Sequence, residues 1–310
     1  MPVIKHELGT KDKAASVALR AMLAVAPKIT FEVADRPTYD ALIERSAAPD
    51  DVAFEPGEVG GVPGWWCRPE RLEGGTDGKS VILYLHGGGF VLGSAKAYRG
   101  FVAQIATRAG APAFVADYAL APERPFPAAW EDLGALQAGL VSLGYGRIAL
   151  AGDSAGGGLV LSALSQPSAA SDRIVGIVAL SPLIDLSVSG ESMTSREGDD
   201  PILNPEGVRK VAGIFLGDHD PQETRLALLD AAFQIAPPVR VHVGDSEVLL
   251  DDSLRFAAKA QRAGLNSQVH VWEGMFHVFP MNFGMFDAAA EALDDVGAFL
   301  SGVLAARSQP

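Results

Sequence analysis

The sequence predicts an α/β fold: a mostly parallel central sheet flanked by helices, with a helical cap over one end. Three observations predict it. From Ser80 onward, short β-rich runs alternate with segments of helical periodicity. The first run, Ser80–Leu85 (SVILYL), is continuously apolar, as expected of a strand buried on both faces. The alternation then breaks once, between Leu180 and Val239, a stretch too long for an ordinary connection.

Each element follows from local chemistry. Residues 12–26 and 37–47 carry apolar side chains at helical spacing, with Pro27 and Pro37 as breaks. Residues 52–58 and 62–68 read as strands joined by a turn at Gly60-Gly61. After the Ser80–Leu85 strand, a helix over 95–109 ends at Gly110. Ala113–Ala116 is a strand, with Pro112 just before it, where a missing N–H is tolerated. A helix over 127–143 has Pro127 in its first turn and Gly144 past its end. Arg147–Ala151 is a strand, Ser154–Leu164 a helix and Ile174–Leu180 a strand. Within the break, 205–216 has helical spacing. Val239–Val243 and Gln268–Trp272 are strands, and 251–263 and 286–304 are helices. Residues 49–310 therefore form the main domain, with an insertion at about 187–217. That insertion and the N-terminal helices within residues 1–48 are expected to form the cap.

Composition narrows the function. Lys and Arg number 25 against 38 Asp and Glu, a net charge of −13. Such a surface repels phosphate backbones and anionic bilayers, so neither nucleic acid nor stable membrane association is expected. The one cysteine, Cys67, cannot form an internal disulfide or a Cys-rich metal site. The six histidines, at 6, 86, 219, 242, 270 and 277, include no HxH or HxxxH pair, so neither metal nor cofactor is expected. No apolar run reaches the ~18 residues that span a bilayer. The run Ala21–Ala26, behind Lys11, Lys13 and Arg20, is short for a signal peptide and has amphipathic flanks, so the expected location is the cytoplasm.

In open parallel sheets, function collects at the carboxyl ends of the strands. After Arg147–Ala151 comes Gly152-Asp153-Ser154-Ala155-Gly156. G-x-S-x-G between a strand and a helix forces a sharp turn that lifts the serine Oγ clear, and the helix N-terminus behind it favours negative charge. Ser154 is the candidate nucleophile; as a bland alternative it would only cap a Gly-rich turn. After Ser80–Leu85 comes His86-Gly87-Gly88-Gly89-Phe90. Three consecutive glycines leave backbone N–H groups unshielded and able to face a developing oxyanion, with the N–H of Ala155 as a further donor. His86 is read as a structural residue that hydrogen-bonds loop backbone.

A serine nucleophile needs a base and the base an orienting acid, in the chain order serine, acid, histidine. His277 is a lone polar residue in the apolar loop Met275-Phe276-His277-Val278-Phe279, at the end of a late strand, and is the candidate base. His242 and His270 lie inside strands and read as packed, and His219 in a polar run reads as solvated. Four carboxylates follow Val239–Val243: Asp245, Glu247, Asp251 and Asp252. Spacing alone does not choose among them, although Asp251 and Asp252 suit the first turn of the next helix.

These residues resemble the bacterial hormone-sensitive-lipase-like esterases of the α/β-hydrolase fold, from about residue 50 to the C-terminus. The carriers are His86–Phe90, Gly152–Gly157, Asp117–Ala129 (DYALAPERPFPAA) and Asp200-Pro201-Ile202-Leu203. The resemblance implies oxyanion donors at Gly88, Gly89 and Ala155, a structural Asp153, and cap segments from the N-terminus and the 205–216 helix. It places Glu247 where the family's catalytic Asp usually stands, with Asp251 and Asp245 as the alternatives. Ala119 stands where the family usually has Arg, so an ion pair made by that Arg is absent. The function implied is a serine carboxylesterase acting on a small-molecule ester of short to medium acyl chain, with Ser154, His277 and Glu247 as the triad. The other readings are an amidase, lactonase or carbamate hydrolase on the same triad, or a non-catalytic receptor of the same fold. A homodimer is compatible with the resemblance.

Overall fold

The computed structural model describes residues 3–26, 29–70, 78–223 and 227–305. In chain order the elements are β1 (Val3–His6), α1 (Thr10–Val25), α2 (Arg36–Ile43), β2 (Val52–Val59), β3 (Val62–Pro69), β4 (Ser80–Leu85), α3 (Ala95–Ala109), β5 (Ala113–Ala116), α4 (Ala128–Ser142), β6 (Arg147–Asp153), α5 (Ser154–Ser162), β7 (Ile174–Leu180), α6 (Ser192–Ser195), α7 (Pro205–Leu216), β8 (Val239–Gly244), α8 (Leu250–Arg262), β9 (Ser267–Trp272) and α9 (Asp287–Ala305). The nine strands form one sheet in the order β1-β9-β8-β7-β6-β4-β5-β3-β2. Strand pairing is parallel from β1 through to β5, and β3 and β2 close the far edge antiparallel.

The alternation of β and α segments is thus a mostly parallel sheet covered on both faces. All six residues of β4 are buried, which accounts for its lack of alternation. On one face, Ile82 and Tyr84 of β4 pack with Phe101 and Ile105 of α3 and with Leu293, Val296 and Leu300 of α9. On the other, Val81, Leu83 and Leu85 pack with Leu159 and Val160 of α5, in a cluster that also takes in Val208, Val211 and Phe215 of α7.

Two elements were not expected. β1 pairs parallel with β9, Val3 opposite Val269 and His6 opposite Trp272, so the chain enters through the sheet before its first helix. Four residues with a lysine among them carry no readable periodicity. The one-turn α6 lies in the insertion. Helix α2 also ends at Ile43, four residues short of the spacing.

The strand order reverses between β4 and β6: β4 leads to β5 on one side, while β6 leads to β7, β8 and β9 on the other. Such a switch point is where open α/β sheets form their crevice. The N-terminal segment and α7 lie against the loops there. Lys210 on α7 pairs with Glu32 (2.6 Å), and Phe215 stacks on Phe90 at 4.1 Å. Arg36 on α2 donates to the Val91 and Ala121 carbonyls and pairs with Glu123. Among the described residues, no helix is long and apolar enough to cross a membrane.

Leu300 is fully buried in the α9 layer. Leu300→Ala should cost about 2–5 kcal/mol in urea denaturation. Val17→Ala on the 71% exposed position of α1 should stay within about 0.5 kcal/mol.

Candidate active site

Parallel register aligns the strand ends. Leu85 lies opposite Gly152, Asp153 opposite Leu180, Leu180 opposite His242, and Gly244 opposite Trp272. The residues that leave the sheet after β4, β6, β7, β8 and β9 therefore stand in a row.

Ser154 is the first residue of α5, and its φ is +51°, in the left-handed region that non-glycine residues rarely adopt. The turn is held by close backbone approach. A Cβ on Gly156 would lie 2.0 Å from the Leu85 carbonyl oxygen, and one on Gly152 2.6 Å from the carbonyl of Gly156. The bland reading of a serine-capped turn fails here, because Ser154 is itself the first helical residue and its Oγ points to His277 Nε2 at 3.0 Å.

The glycine loop after β4 is similarly tight. Gly88 has φ +106°, and a Cβ there would meet the Leu92 carbonyl oxygen at 2.3 Å. Val211 of α7 packs on Gly89, where a Cβ would lie 2.8 Å from its methyl carbon. His86 is fully buried with Nδ1 2.7 Å from the Gly87 carbonyl, while Tyr118 donates to the His86 carbonyl. Burial pushes its imidazole down to about 4, so it stands neutral in the loop.

His277 joins two of the candidates. Its Nδ1 is 3.0 Å from Glu247 Oε2, opposite the Nε2 contact to Ser154. Since a carboxylate only accepts, Nδ1 carries the proton and Nε2 is left to accept from the serine hydroxyl. Burial alone would lower the imidazole, but the Glu247 hydrogen bond and the charges of Glu247, Asp200 and Asp153 outweigh it and raise it above 6.5. Glu247 is fully buried, and its Oε1 accepts from Ser181 Oγ and Gly244 N, each at 2.6 Å.

The other three carboxylates have different partners. Asp245 accepts from Gly274 N, and Asp251 from Ser192 N. Asp252 accepts from the N–H groups of Ile184 and Asp185. Asp251 and Asp252 are in the first turn of α8 as expected, but they anchor the segment after β7 as well. Where the Arg is replaced, Ala119 N donates to Asp132, whose carboxylate also pairs with Arg124. His219 is exposed, 3.2 Å from Glu223. Phe90, Phe215, Met275 and Phe279 are all buried side chains of the core.

The α/β-hydrolase fold family matches residues 82–281. An acetyl-hydrolase from Streptomyces hygroscopicus is 35% identical over 81% of this chain and 84% of its own. An esterase from Acinetobacter venetianus is 31% identical over 85% of this chain and 87% of its own. The crystal structure of an esterase from the bacterial hormone-sensitive lipase family superposes with a TM-score of 0.85, at 36% identity, covering 96% of this chain and 99% of the other. The chain belongs to the bacterial hormone-sensitive-lipase family of esterases, on the α/β-hydrolase fold.

Sequence reasoning missed Ser181, and for Asp200 and Asp153 it named the residue without its partners. Ser181, after β7, donates to Glu247. Asp200, in the family's D-P-I-L segment, is buried and accepts from Val248 N, next to Glu247. Burial pushes its carboxyl up to about 6, against the pull of His277. The third, Asp153, lies in a phenol network below the nucleophile. Asp153 accepts from Tyr84 Oη (2.8 Å), Gly87 N (2.9 Å) and Tyr98 Oη (3.2 Å), and Tyr98 meets Tyr39 of α2 at 2.8 Å. The resemblance had marked Asp153 as structural, and its phenol partners had no advance signal beyond a tyrosine inside the apolar β4 run.

His242, His270 and Asp295 bring metal-ligand atoms within 4.8 Å of one another, although their spacing in sequence suggests no site. Arg240 Nη1 stands among them, 2.5 Å from each Asp295 oxygen and 3.2 Å from His270 Nε2. Trp272 Nε1 donates to His242 Nδ1, which leaves the His242 proton on Nε2, facing Asp295 at 3.0 Å. The guanidinium already supplies the positive charge, and the tautomer is the wrong one for a ligand.

Asp153 ties the glycine loop to the nucleophile turn through Gly87. Asp153→Ala leaves buried donors unpaired and should cost at least about 1–3 kcal/mol by urea denaturation. Ester turnover should fall with it, since Gly87 directly precedes the proposed oxyanion donors.

Proposed function

We propose that the protein is a serine carboxylesterase with Ser154 as nucleophile, His277 as general base and acid, and Glu247 as the orienting acid. The observation that carries the reading is the continuous chain Ser154 Oγ to His277 Nε2 and His277 Nδ1 to Glu247 Oε2, 3.0 Å at each link. Ser154 Oγ attacks the ester carbonyl while its proton passes to His277 Nε2. The oxyanion that forms faces the N–H groups of Gly88, Gly89 and Ala155, each worth about 3 kcal/mol in such a site. Collapse breaks the bond to the alkoxy oxygen, which leaves as the alcohol with the proton from Nε2. Water, deprotonated by the same nitrogen, then attacks the acyl-enzyme and releases the acid and Ser154. Glu247 stabilises the imidazolium formed in each half, and no metal or cofactor enters.

The substrate is read as a small ester of short to medium acyl chain. Ser154 and His277 are only 8% and 7% exposed. The N-terminal segment and α7 act as a cap: α7 lies on the glycine loop through Val211, and its Phe215 stacks on Phe90.

Hydrolysis of p-nitrophenyl esters from acetate to palmitate tests this. Activity should peak at short chains and vanish in Ser154→Ala. No turnover of any ester by folded wild-type protein would transfer the triad to an amide, lactone or carbamate, or leave a receptor. Glu247→Ala should lower kcat by about 10⁴-fold, while Asp251→Ala stays near wild type. The reverse order would overturn the acid assignment.

The raised His277 pKa sets a pH dependence. The base works only when neutral, so kcat/KM should fall as pH drops through a value above 6.5. In Glu247→Gln burial dominates, and the acid limb of the residual activity should move to lower pH.

A further inference from the structure

The turn that follows β7 touches two members of the proposed triad and the residue after the third. Leu183 N donates to the Ser154 carbonyl at 2.9 Å. Ser181 Oγ is 2.6 Å from Glu247 Oε1. Val278 N, in the residue after His277, donates to Ser181 Oγ at 3.0 Å. An N–H can only donate, so Val278 occupies a lone pair of the hydroxyl and the single Ser181 proton is committed to Glu247. The direction of every bond is thereby determined: Val278 N–H to Ser181, Ser181 O–H to Glu247 Oε1, and His277 Nδ1–H to Glu247 Oε2.

We propose that Ser181 is a positioning residue of the triad, its hydroxyl locking the Glu247 carboxylate and the backbone of the His277 loop into one unit. The inference rests on the triad reading above. Two backbone outliers lie at the junction: Ser181 has φ +47° and Val278, a β-branched residue, φ +50°. Non-glycine residues are held there only where the surroundings over-determine them, and here both belong to the same hydrogen-bonded chain. Ser181 is fully buried, so no solvent molecule takes over its two bonds from outside. With Ser181 and Gly244 both on Oε1, the carboxylate plane is set and Oε2 faces the imidazole. Removing the hydroxyl leaves Gly244 N as the one remaining donor on Oε1 and unties the carboxylate from the backbone at Val278, so its plane is held less firmly, and misplacement of a catalytic group costs catalysis rather than binding.

The test compares Ser181→Gly with Ser181→Ala. Both lose the hydroxyl, but glycine adopts φ +47° without strain, so the pair separates the hydroxyl from the backbone. Each variant should lose about 10- to 100-fold in kcat with KM within about twofold, and Ser181→Gly should melt no lower than Ser181→Ala. The acid limb of kcat/KM should also move to lower pH, because the aligned Glu247 bond is what raises His277. Wild-type kcat and pH profile in folded Ser181→Gly would overturn the proposal, as would a loss confined to KM. If Ser181→Gly fails to fold, the Ser181→Ala rates and pH profile decide by the same criteria. Ser154→Ala runs alongside. Wild-type hydrolysis by that variant overturns the triad reading and this inference together. An inactive Ser154→Ala beside a fully active Ser181→Gly overturns this inference alone.

Discussion

Position 156 has no room for a side chain, since a Cβ there would come within 2.0 Å of the Leu85 carbonyl oxygen. The site depends on that closeness. It lets the start of α5 tuck against the end of β4, so the turn after β6 is sharp enough to hold Ser154 at positive φ and beside the glycine loop. Parallel register then aligns the ends of β7, β8 and β9, and the hydrogen-bond chain runs along that line. The geometry is a property of the sheet, with loops contributing only their first few residues, and rigid elements hold such constellations best.

Electrostatics works in one direction around His277. Glu247, Asp200 and Asp153 are all buried near it, and each favours the imidazolium. Glu247 has three hydrogen-bond donors for its two oxygens, and Asp153 has three for its two. Buried carboxylates without such partners would take up protons and lose the charge that makes them useful. The neutral His86 shows the opposite outcome, a buried imidazole with no carboxylate bonded to it.

What was legible in the sequence was local. The strand–glycine–serine–glycine–helix pattern and the glycine run are contiguous, and each glycine answers a nearby steric demand, so Ser154 and the loop at Gly88 and Gly89 could be found by reading. His277 stood out as a polar residue in an apolar loop. Singling out Glu247 as the candidate acid needed the family resemblance, because four carboxylates share one stretch and only the fold separates their partners. Ser181 could not be found at all: a serine at a strand end is common, and the groups it joins lie 66 and 97 residues away. The same limit hid β1, whose four residues form a strand only because β9 offers an edge, and the Arg240 cluster, which depends on α9 meeting two strands.

The β1–β9 pairing bears on how the protein is made. Val3 meets Val269, and the Glu273 N–H donates to the His6 carbonyl, just before the loop that carries His277. Among the described strands, the first in chain order pairs with the last. At typical synthesis speeds of roughly 5–20 residues per second, β1 waits more than about ten seconds for that edge. During this interval its backbone groups lack their β9 partner, and that pairing brings the first strand beside the loop that carries His277, the proposed base. Completion of the sheet and completion of the proposed site are therefore nearly the same late event.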